Sequence, residues 1–324
     1  MQRFRSLLVL IDGDPSRQPV LTRAARLAKQ NGAAVRLVSV VEDFPWYARL
    51  VLPNAEELQS VLVHQKTEAL AGLAAPLRNQ GLEVTTGVLR GRRYLELVRE
   101  VLRGNHDLLM KEAEPNHDVA FGSTDMNLLR CCPCPLWLFK PQHVGQPFAR
   151  ILAAVDPAPP PDDSIQLHIK AELAPRDGAL DARILEIADS LARREGAELH
   201  VVHAWSATGE RLLRGDLTLD QEQIERYVDD SRHEAQTALN RLLEKFPDHA
   251  GRTVHFLKGD PADVIADQTA TLRIDLIVMG TVARTGIPSL VIGNTAETVL
   301  QRVECSVLAI KPDGFVSPVQ LRES

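Results

Sequence analysis

An internal repeat is the feature of this chain that most constrains its fold. Four segments of the first half return in the same order in the second half. The pairs are 5–15 with 149–159, 31–43 with 195–207, 88–111 with 256–279, and 122–141 with 293–312. Similarity that keeps its order along a chain indicates a duplicated domain, and 324 residues are enough for two domains. We predict domains at 1–147 and 148–316, followed by a C-terminal tail at 317–324.

Each copy alternates between short apolar runs and segments of helical periodicity. LLVLID and VRLVSVV are typical of buried strands, and RYLELVREVLRG has apolar residues at helical spacing. This alternation predicts an α/β fold, with two tandem doubly wound, Rossmann-like parallel-sheet domains. The closing runs PLWLFK and VLAIKP would each form an apolar edge strand. Their pairing would join the two copies as an internal pseudo-dimer.

Composition narrows the class of protein. The formal net charge of -6 argues against a nucleic-acid partner, and no apolar run is long enough for membrane insertion. Without a secretory signal pattern, we expect a cytoplasmic protein. Cys131, Cys132 and Cys134 lie together in CCPCP, and Cys305 repeats Cys134. Because paired C-x-x-C motifs are missing, we expect buried thiols and no metal site, with zinc binding as the alternative.

The second copy offers a candidate ligand site, because doubly wound sheets bind ligands beyond the carboxyl ends of their strands. Asp156 ends the first strand of this copy, Ala204 lies near the end of the second, and Met279 near the end of the fourth. The loop GTVARTGIPSLVIGNT (280–295) then leads into a helix. Its glycines allow a ligand to approach the backbone, and free N–H groups at a helix start attract phosphate.

Several residues of this loop are candidates for anion binding. Gly280 and Gly293 bound it, Arg284 adds positive charge, and Asn294 or Thr295 is the predicted N-cap of the following helix. The alternative is an ordinary strand-to-helix turn, which every α/β domain contains. The lysine of the standard phosphate loop is missing, and so is a dinucleotide-binding fingerprint.

At these residues the chain resembles a known family. The strand ending in Asp156, DLIVMG (275–280), the glycine-spaced loop and VLAIKP are similar to universal stress proteins. Two copies with GTVARTGIP and GNTAE resemble the tandem E-type members of Gram-negative bacteria. The resemblance implies an adenine nucleotide alpha hydrolase-like fold, a role in stress response, and ATP as the ligand, with Mg²⁺ if ATP is bound.

The resemblance also assigns positions in the loop. ATP-binding members have three spaced glycines and a hydroxyl residue after the third. Gly280 and Gly293 match the first and third glycines, whereas Ala283 replaces the second and Asn294 replaces the hydroxyl residue. Thr295 follows directly. Asp156 matches the family's nucleotide-facing aspartate, and Ala204 its adenine-facing position, so the resemblance implies a partly preserved nucleotide site.

The first copy departs further from this pattern. Asp12 keeps the strand aspartate, but Glu112 stands where the second copy has Gly280. Gly122, followed by Ser123 and Thr124, keeps the helix start. Glu112, Glu114 and Asp118 would place negative charge where phosphates would lie. We therefore expect a degenerate counterpart site.

These features favour a binding protein that acts by regulation over an enzyme. We expect a small-molecule ligand, a regulatory protein partner and possible homodimer formation. One alternative is a weak ATPase or nucleotidyl-transfer enzyme, and another is a scaffold without ligand. A third is a hydrophobic-ligand or lipid binder on the apolar stripe Leu58, Val61, Leu62 and Leu70, which we otherwise predict to face the core. The insertion 157–180 follows the strand that Asp156 ends, at the expected ligand edge.

Two residues at this edge have a structural and a functional interpretation. His203 is expected to be a hydrogen-bonded structural histidine. Trp205 could stack on a ligand or close the core.

Overall fold

A computed structural model describes residues 4–12, 19–44, 54–114, 121–140, 147–157, 178–215, 220–246, 251–281 and 292–321. The chain divides into two compact units. Unit one contains Met1–Gln146, Ser306–Lys311 and Phe315–Ser324, and unit two contains Pro147–Cys305 and Pro312–Gly314. No helix among the described residues is both long and apolar enough to cross a membrane.

Strands and helices alternate in unit one as the apolar pattern predicts. Its strands are β1 (Ser6–Leu10), β2 (Ala34–Val41), β3 (Val84–Arg90), β4 (Leu108–Glu112) and β5 (Leu136–Phe139). Its helices are α1 (Pro19–Asn31), α2 (Ala55–Asn79), α3 (Arg93–Gly104) and α4 (Ser123–Cys131). These five strands lie in the order β3-β2-β1-β4-β5, and each is parallel to its neighbour. The central strand β1 is almost entirely buried.

Unit two repeats this arrangement. Its strands are β6 (Arg150–Ala154), β7 (Glu198–Trp205), β8 (Arg252–Lys258) and β9 (Leu276–Gly280). Its helices are α5 (Ala179–Glu195), α6 (Glu210–Leu213), α7 (Gln221–Glu244), α8 (Pro261–Thr271) and α9 (Asn294–Arg302). The strands lie in the order β9-β6-β7-β8 and are again parallel.

The closing strand of the second repeat, β10 (Ser306–Ile310), belongs to unit one. It runs antiparallel to β5, with Leu308 opposite Trp137 and Val307 opposite Leu138. All four of these side chains are buried. The predicted pairing of the two closing strands is therefore confirmed. It covers an apolar edge that would otherwise expose unpaired backbone groups.

An aspartate before the fourth strand of each repeat holds the start of the first strand. Asp107 accepts hydrogen bonds from the backbone N–H groups of Arg5 (2.7 Å) and Ser6 (3.0 Å). Asp275 accepts from Ala149 and Arg150 at 2.7 and 2.9 Å. The two aspartates occupy the same repeat position, so the duplication has kept a structural contact as well as a fold.

The apolar stripe of α2 does not all face the core. Leu70 is buried, but Leu58, Val61 and Leu62 are 46, 47 and 40% exposed. The prediction of a core-facing stripe is wrong for these three residues. The first half of α2 is held by polar contacts instead: Gln59 donates to the Asp43 carboxylate at 2.9 Å, and its amide oxygen accepts from Arg90.

Candidate functional site

The paired strand ends of unit two bring the predicted site residues to one edge of its sheet. Ala154 of β6 lies opposite Met279 of β9, and Val155 donates its backbone N–H to the Val202 carbonyl of β7 at 3.0 Å. Asp156 follows directly, half-buried, at the carboxyl end of the sheet. The strands β6, β7 and β9 are parallel and end at the same edge of the sheet, as the sequence predicts.

Asp156 is held on one side by a hydrogen bond to helix α5. Its backbone N–H donates to Asp181 Oδ1 at 2.8 Å, in the first turn of α5. On the other side, His203 Nδ1 lies 3.8 Å from Asp156 Oδ1 and 3.2 Å from the Val155 carbonyl oxygen. His203 is buried, and its closer partner is backbone. It is therefore the structural, hydrogen-bonded histidine that the sequence predicts.

Ala204 and Trp205 end β7. Ala204 lies opposite Leu257 of β8 and is half-buried. The ring of Trp205 stacks on Phe256, with centroids 5.8 Å apart, and Lys258 Nζ lies 5.5 Å from the Trp205 ring centroid. Trp205 is buried, so the structure supports the interpretation in which its ring closes the core.

Gly280 has a packing reason to lack a side chain. A Cβ atom there would lie 3.1 Å from Leu180 Cδ2 and 3.7 Å from Ile184 Cδ1, both on α5. We predicted that a ligand would approach the backbone at Gly280, but side chains of helix α5 lie there. After Gly280, Thr281 is buried, and its carbonyl oxygen accepts the backbone N–H of Gly293 at 3.2 Å. This bond brings the two ends of the loop together at the strand edge.

The helix after the loop begins one residue earlier than an N-cap at Asn294 predicts, and two residues earlier than an N-cap at Thr295 predicts. Its N-cap is Gly293, in extended conformation, because the Gly293 carbonyl accepts the Glu297 N–H at 2.9 Å. Asn294 and Thr295 are exposed as the first two helical residues. The prediction of a side-chain cap at either of them is wrong. Gly293 has no side chain that could cap α9, and the N–H groups at a helix start attract anions.

Some of the predicted residues cannot be placed. Ala283 and Arg284 lie outside the described residues, as do Asp118 and most of the insertion 157–180.

In unit one the equivalent edge is filled by carboxylates of the protein itself. Glu112, at the Gly280 position, is half-buried, and the backbone of Val20 in the first turn of α1 acts to lower the pKa of its carboxyl. Burial raises the pKa of Glu112, and the neighbouring Asp12 charge raises it further. Lys111 opposes this shift. A carboxyl group of the protein itself therefore lies near the N-terminus of α1, an end that favours negative charge.

The side chain of Glu114 lies at the N-terminus of helix α4 in unit one. Its Oε2 atom accepts the backbone N–H of Thr124, in the first turn of α4, at 3.3 Å. A Cβ atom on Gly122 would lie 2.2 Å from the same oxygen. Gly122 is therefore needed to admit the carboxylate. Ser123 is exposed beside it and Thr124 is half-buried.

An arginine that sequence reasoning missed joins these carboxylates. Arg93 Nη1 lies 2.7 Å from Asp12 Oδ2 and 3.5 Å from Glu114 Oε1, and Arg93 Nε lies 3.9 Å from Glu42. The repeat places Pro261 at the equivalent position of unit two. The sequence feature that could have pointed to Arg93 is that the first residue of this helix is charged in the first repeat but not in the second.

A buried ion pair lies beneath this cluster and was also missed. Lys111 and Asp125 are both buried, and Lys111 Nζ donates to Asp125 Oδ1. Asp125 Oδ2 also accepts the backbone N–H groups of Glu114 (2.8 Å) and Gly122 (3.3 Å). Burial raises the pKa of Asp125, and the Lys111 charge opposes that shift. The sequence could have indicated this pair, because Lys111 and Asp125 are charged at positions where the second repeat has apolar residues.

The two edges differ in what they could bind. In unit one, carboxylates occupy the starts of α1 and α4, so an incoming phosphate would meet like charge. In unit two, the position of Glu112 carries no side chain, and the start of α9 carries no side-chain cap. Among the described groups of three or more histidine, cysteine or acidic side chains, none could hold a metal ion. The arrangement defines a tandem α/β protein with one candidate anion site and one carboxylate-filled counterpart.

Comparison with known proteins agrees with this class. The model of the universal stress protein family matches residues 3–140 and 173–311, so both repeats belong to the match. The chain is 31% identical to universal stress protein E of Escherichia coli K12 over 329 aligned positions, covering 99% of this chain and 98% of that protein. It is 25% identical to a universal stress protein E homologue of Haemophilus influenzae, covering 96% and 98%. The chain therefore belongs to the universal stress protein family, in its tandem E-type form.

Solved structures show the same fold over the whole chain. A functionally unknown protein from Pseudomonas aeruginosa PAO1 is 26% identical, with a TM-score of 0.68, and the match covers 97% of this chain and 95% of that one. A universal stress protein from Archaeoglobus fulgidus is 17% identical, with a TM-score of 0.61 and coverage of 94% and 98%. The predicted family and the tandem, mostly parallel α/β fold are thus confirmed.

Proposed function

We propose that this protein binds a nucleotide, with ATP as the first candidate, at the strand edge of unit two. Asp156, Ala204 and Met279 would line the site, and the start of α9 at Gly293 would face the phosphates. Bound ATP would bring Mg²⁺ with it. Unit one would serve as a partner domain without nucleotide, because its own carboxylates occupy the equivalent place.

The contrast between Glu112 and Gly280 carries this proposal. Both residues end the fourth strand of their repeat, and one supplies a carboxylate where the other supplies no side chain. The backbone at the N-terminus of α1 acts to lower the pKa of the Glu112 carboxyl, and a helix N-terminus favours a phosphate for the same electrostatic reason. This contrast supports an anion site in the second repeat, where Gly280 adds no carboxylate to the edge and packs against Leu180 of α5.

The proposed action is regulation of a cytosolic partner or of assembly, and not bond chemistry. A general base must reach the proton that it takes, and His203 is buried with its Nδ1 atom directed to a backbone carbonyl. Asp156 Oδ1 lies 3.8 Å from that nitrogen, beyond hydrogen-bond distance. Nucleotide occupancy would then change the surface that a regulatory protein or a second copy of the chain contacts.

Isothermal titration of the purified full-length protein with ATP and ADP, with and without Mg²⁺, tests binding. We expect saturable heat at micromolar nucleotide with one site per chain. Silence up to millimolar nucleotide would reject the proposal. Release of inorganic phosphate above the buffer rate, lost in Asp156→Ala, would instead assign the enzymatic alternative.

A matched pair of variants tests the role of charge at the strand end. Gly280→Glu copies the first repeat into the second, and Gly280→Gln has nearly the same size without the charge. Both must displace Leu180 equally, so the difference between them isolates electrostatics. We expect Gly280→Glu to weaken ATP binding at least about tenfold more than Gly280→Gln, which corresponds to about 1.4 kcal/mol. Equal losses would mean that space, and not charge, decides occupancy.

A further inference from the structure

Three of the four cysteines lie at the junction between α4 and β5 in unit one. Cys131 ends the helix, Cys132 is its C-cap, and Cys134 follows after Pro133. The Sγ atoms of Cys132 and Cys134 are 3.5 Å apart, and both residues are buried. Both are free thiols in this structure. A disulfide needs a separation of about 2.0 Å, so a shift of about 1.5 Å would join these sulfurs.

The surroundings make the two thiols unequal. The hydrogen bond between the two thiols, the backbone of Cys134 and the Lys311 charge together hold the pKa of Cys132 below its ordinary value, against the opposing effect of burial. Burial raises the pKa of Cys134, and the adjacent Cys132 raises it further. The two thiols therefore differ in the direction of their pKa shifts, and in a pair of this kind the thiol with the lower pKa attacks the oxidant while its neighbour resolves the product.

Lys311 supplies the positive charge at this junction. It follows β10, is buried, and donates from Nζ to the Leu129 carbonyl oxygen of α4 at 2.5 Å. Burial lowers its pKa to about 8, and the thiols of Cys131 and Cys132 oppose that shift. The ammonium is therefore largely charged at neutral pH and lies beside the helix end. The segment that follows Lys311 also contacts the helix end, where Ser317 Oγ donates to the Cys131 carbonyl at 2.7 Å.

We propose that Cys132 and Cys134 form a reversible dithiol–disulfide pair that hydroperoxides oxidise. The Cys132 thiolate attacks the peroxide O–O bond, which breaks to give a sulfenic acid and an alkoxide or hydroxide that takes up a proton. Cys134 then attacks the sulfenic sulfur, the S–S bond forms, and the S–O bond breaks. The Cys134 proton leaves with the hydroxide as water. In balance, two thiols and one hydroperoxide give one disulfide, one alcohol (or water) and one water.

Because Cys132 and Cys134 are buried, their surroundings limit which oxidants can reach them and what a disulfide between them could do. A buried thiolate is reached by a small molecule such as hydrogen peroxide sooner than by a bulky disulfide. In a reducing compartment, disulfides are transient and sense redox state more often than they stabilise structure. A bond across three residues closes too short a loop to stabilise the fold much. Its effect would be local, at the end of α4 and the start of β5.

Thiol counting on the native full-length protein tests the proposal. The protein is treated with hydrogen peroxide, unfolded, and alkylated with N-ethylmaleimide before intact mass spectrometry. We expect four adducts before oxidation, matching the four cysteines, two after it, and four again after dithiothreitol. Peptide mapping should place the disulfide between Cys132 and Cys134. Four adducts after oxidation, or a disulfide through Cys131 or Cys305, would overturn the proposal.

Serine variants give the matched controls. Cys131→Ser and Cys305→Ser should each fall from three adducts to one, because the reactive pair is intact. Cys132→Ser and Cys134→Ser should form no internal disulfide. Loss of a thiol pair in either of these last variants would contradict the assignment. Mapping of the wild-type protein remains decisive if a variant fails to fold.

The role of Lys311 is tested by rate. Lys311→Met should slow oxidation of the pair at least about threefold at neutral pH, since fewer thiolates form without the ammonium. Lys140→Met is the control, because Lys140 occupies the same repeat position after β5 and contacts the Phe121 ring. Equal rates in Lys311→Met and the wild type would show that Lys311 does not position the thiolate.

Discussion

At the scale of single residues, the two repeats solve one packing problem in different ways. Lys111 and Asp125 form a buried ion pair in unit one, whereas the same repeat positions in unit two are Met279 and Ala296. Both of the latter are also buried. A buried ion pair loses the hydration of both charges, and well-packed apolar residues can replace it at little cost. The second repeat therefore provides a natural apolar version of the same site.

Removing one partner of this pair should be strongly destabilising. We expect Asp125→Ala to lower the free energy of unfolding by about 3–5 kcal/mol, because it leaves the Lys111 ammonium buried and unpaired. The double variant Lys111→Met with Asp125→Ala reproduces the second repeat and should recover more than half of that loss. Urea unfolding followed by circular dichroism measures both.

The single variant Lys111→Met is the matched control for this prediction. It leaves the Asp125 carboxylate with its two backbone N–H donors, so its cost should be smaller than that of Asp125→Ala. If the double variant is no more stable than Asp125→Ala alone, charge burial is not the cause of the loss.

At the scale of elements, β7 and β8 are linked by a histidine pair. His200 Nδ1 and His255 Nε2 are 3.1 Å apart, so one ring donates and the other accepts. Burial lowers the pKa of both histidines. Glu198 opposes the shift at His200, and Arg150 adds to it. Protonation of both rings would remove the acceptor and place two like charges in contact.

This pair should make unit two sensitive to mild acid. A histidine whose folded pKa is below its unfolded value of about 6.5 binds fewer protons when folded, so stability falls as pH drops below that value. We expect His255→Gln to reduce the loss of stability between about pH 7.5 and pH 5.5 by no more than about 1 kcal/mol, since solvent screens the half-buried His255 ring. Thermal melts across this pH range measure the slope.

His64→Gln supplies the control for the pH prediction, because His64 lies exposed on α2 and its side chain is 74% accessible. It should leave the pH dependence as in the wild type. A wild-type slope in His255→Gln as well would assign the acid sensitivity to other groups.

The elements also show where pattern and structure disagree. Helix α3 keeps its apolar face against the sheet, as its spacing predicts. The first half of α2 does not, although Leu58, Val61 and Leu62 follow helical spacing. Leu58, Val61 and Leu62 are exposed there because Gln59, Asp43 and Arg90 hold this end of the helix by hydrogen bonds. Periodicity indicates that one face is apolar, but tertiary contacts decide which face is buried.

At the scale of the whole molecule, unit one is completed by sequence from the second repeat. β10 pairs with β5, and the residues after it return to unit one: Arg99 donates to the Gln320 carbonyl at 3.2 Å. The first unit therefore contains a strand that lies far away along the chain. The units divide between Gln146 and Pro147, within one residue of the predicted repeat boundary, but 306–311 and 315–324 belong to unit one.

A chain that ends at Gln146 should expose the edge of β5. The side chains of Trp137 and Leu138 would lose their partners, and unpaired apolar edges associate. We expect the fragment 1–146 to form dimers or larger species at concentrations where the full-length protein keeps one size, as measured by light scattering after gel filtration. A synthetic peptide covering 304–321 should reduce this association. A monodisperse, monomeric fragment would contradict the prediction.

The sequence by itself determined the duplication, the order of strands and helices, and the edge at which ligands are expected. These follow from local patterns: apolar runs of strand length, helical spacing, and residues such as Asp156 at strand ends. It also placed the carboxylates of Glu112 and Glu114 at the counterpart site. Covalent neighbours and periodicity are sufficient for such conclusions because each depends on short stretches of chain.

Only the tertiary structure decided which groups meet. Arg93 reaches Asp12 across more than eighty residues of sequence, and Lys111 finds Asp125 through the fold. Gly280 is small because Leu180 lies against it, and α9 is capped by Gly293 because of a backbone bond that composition does not reveal. Such contacts depend on how distant segments pack, which is a property of the folded chain. The closing strand β10 completes unit one for the same reason.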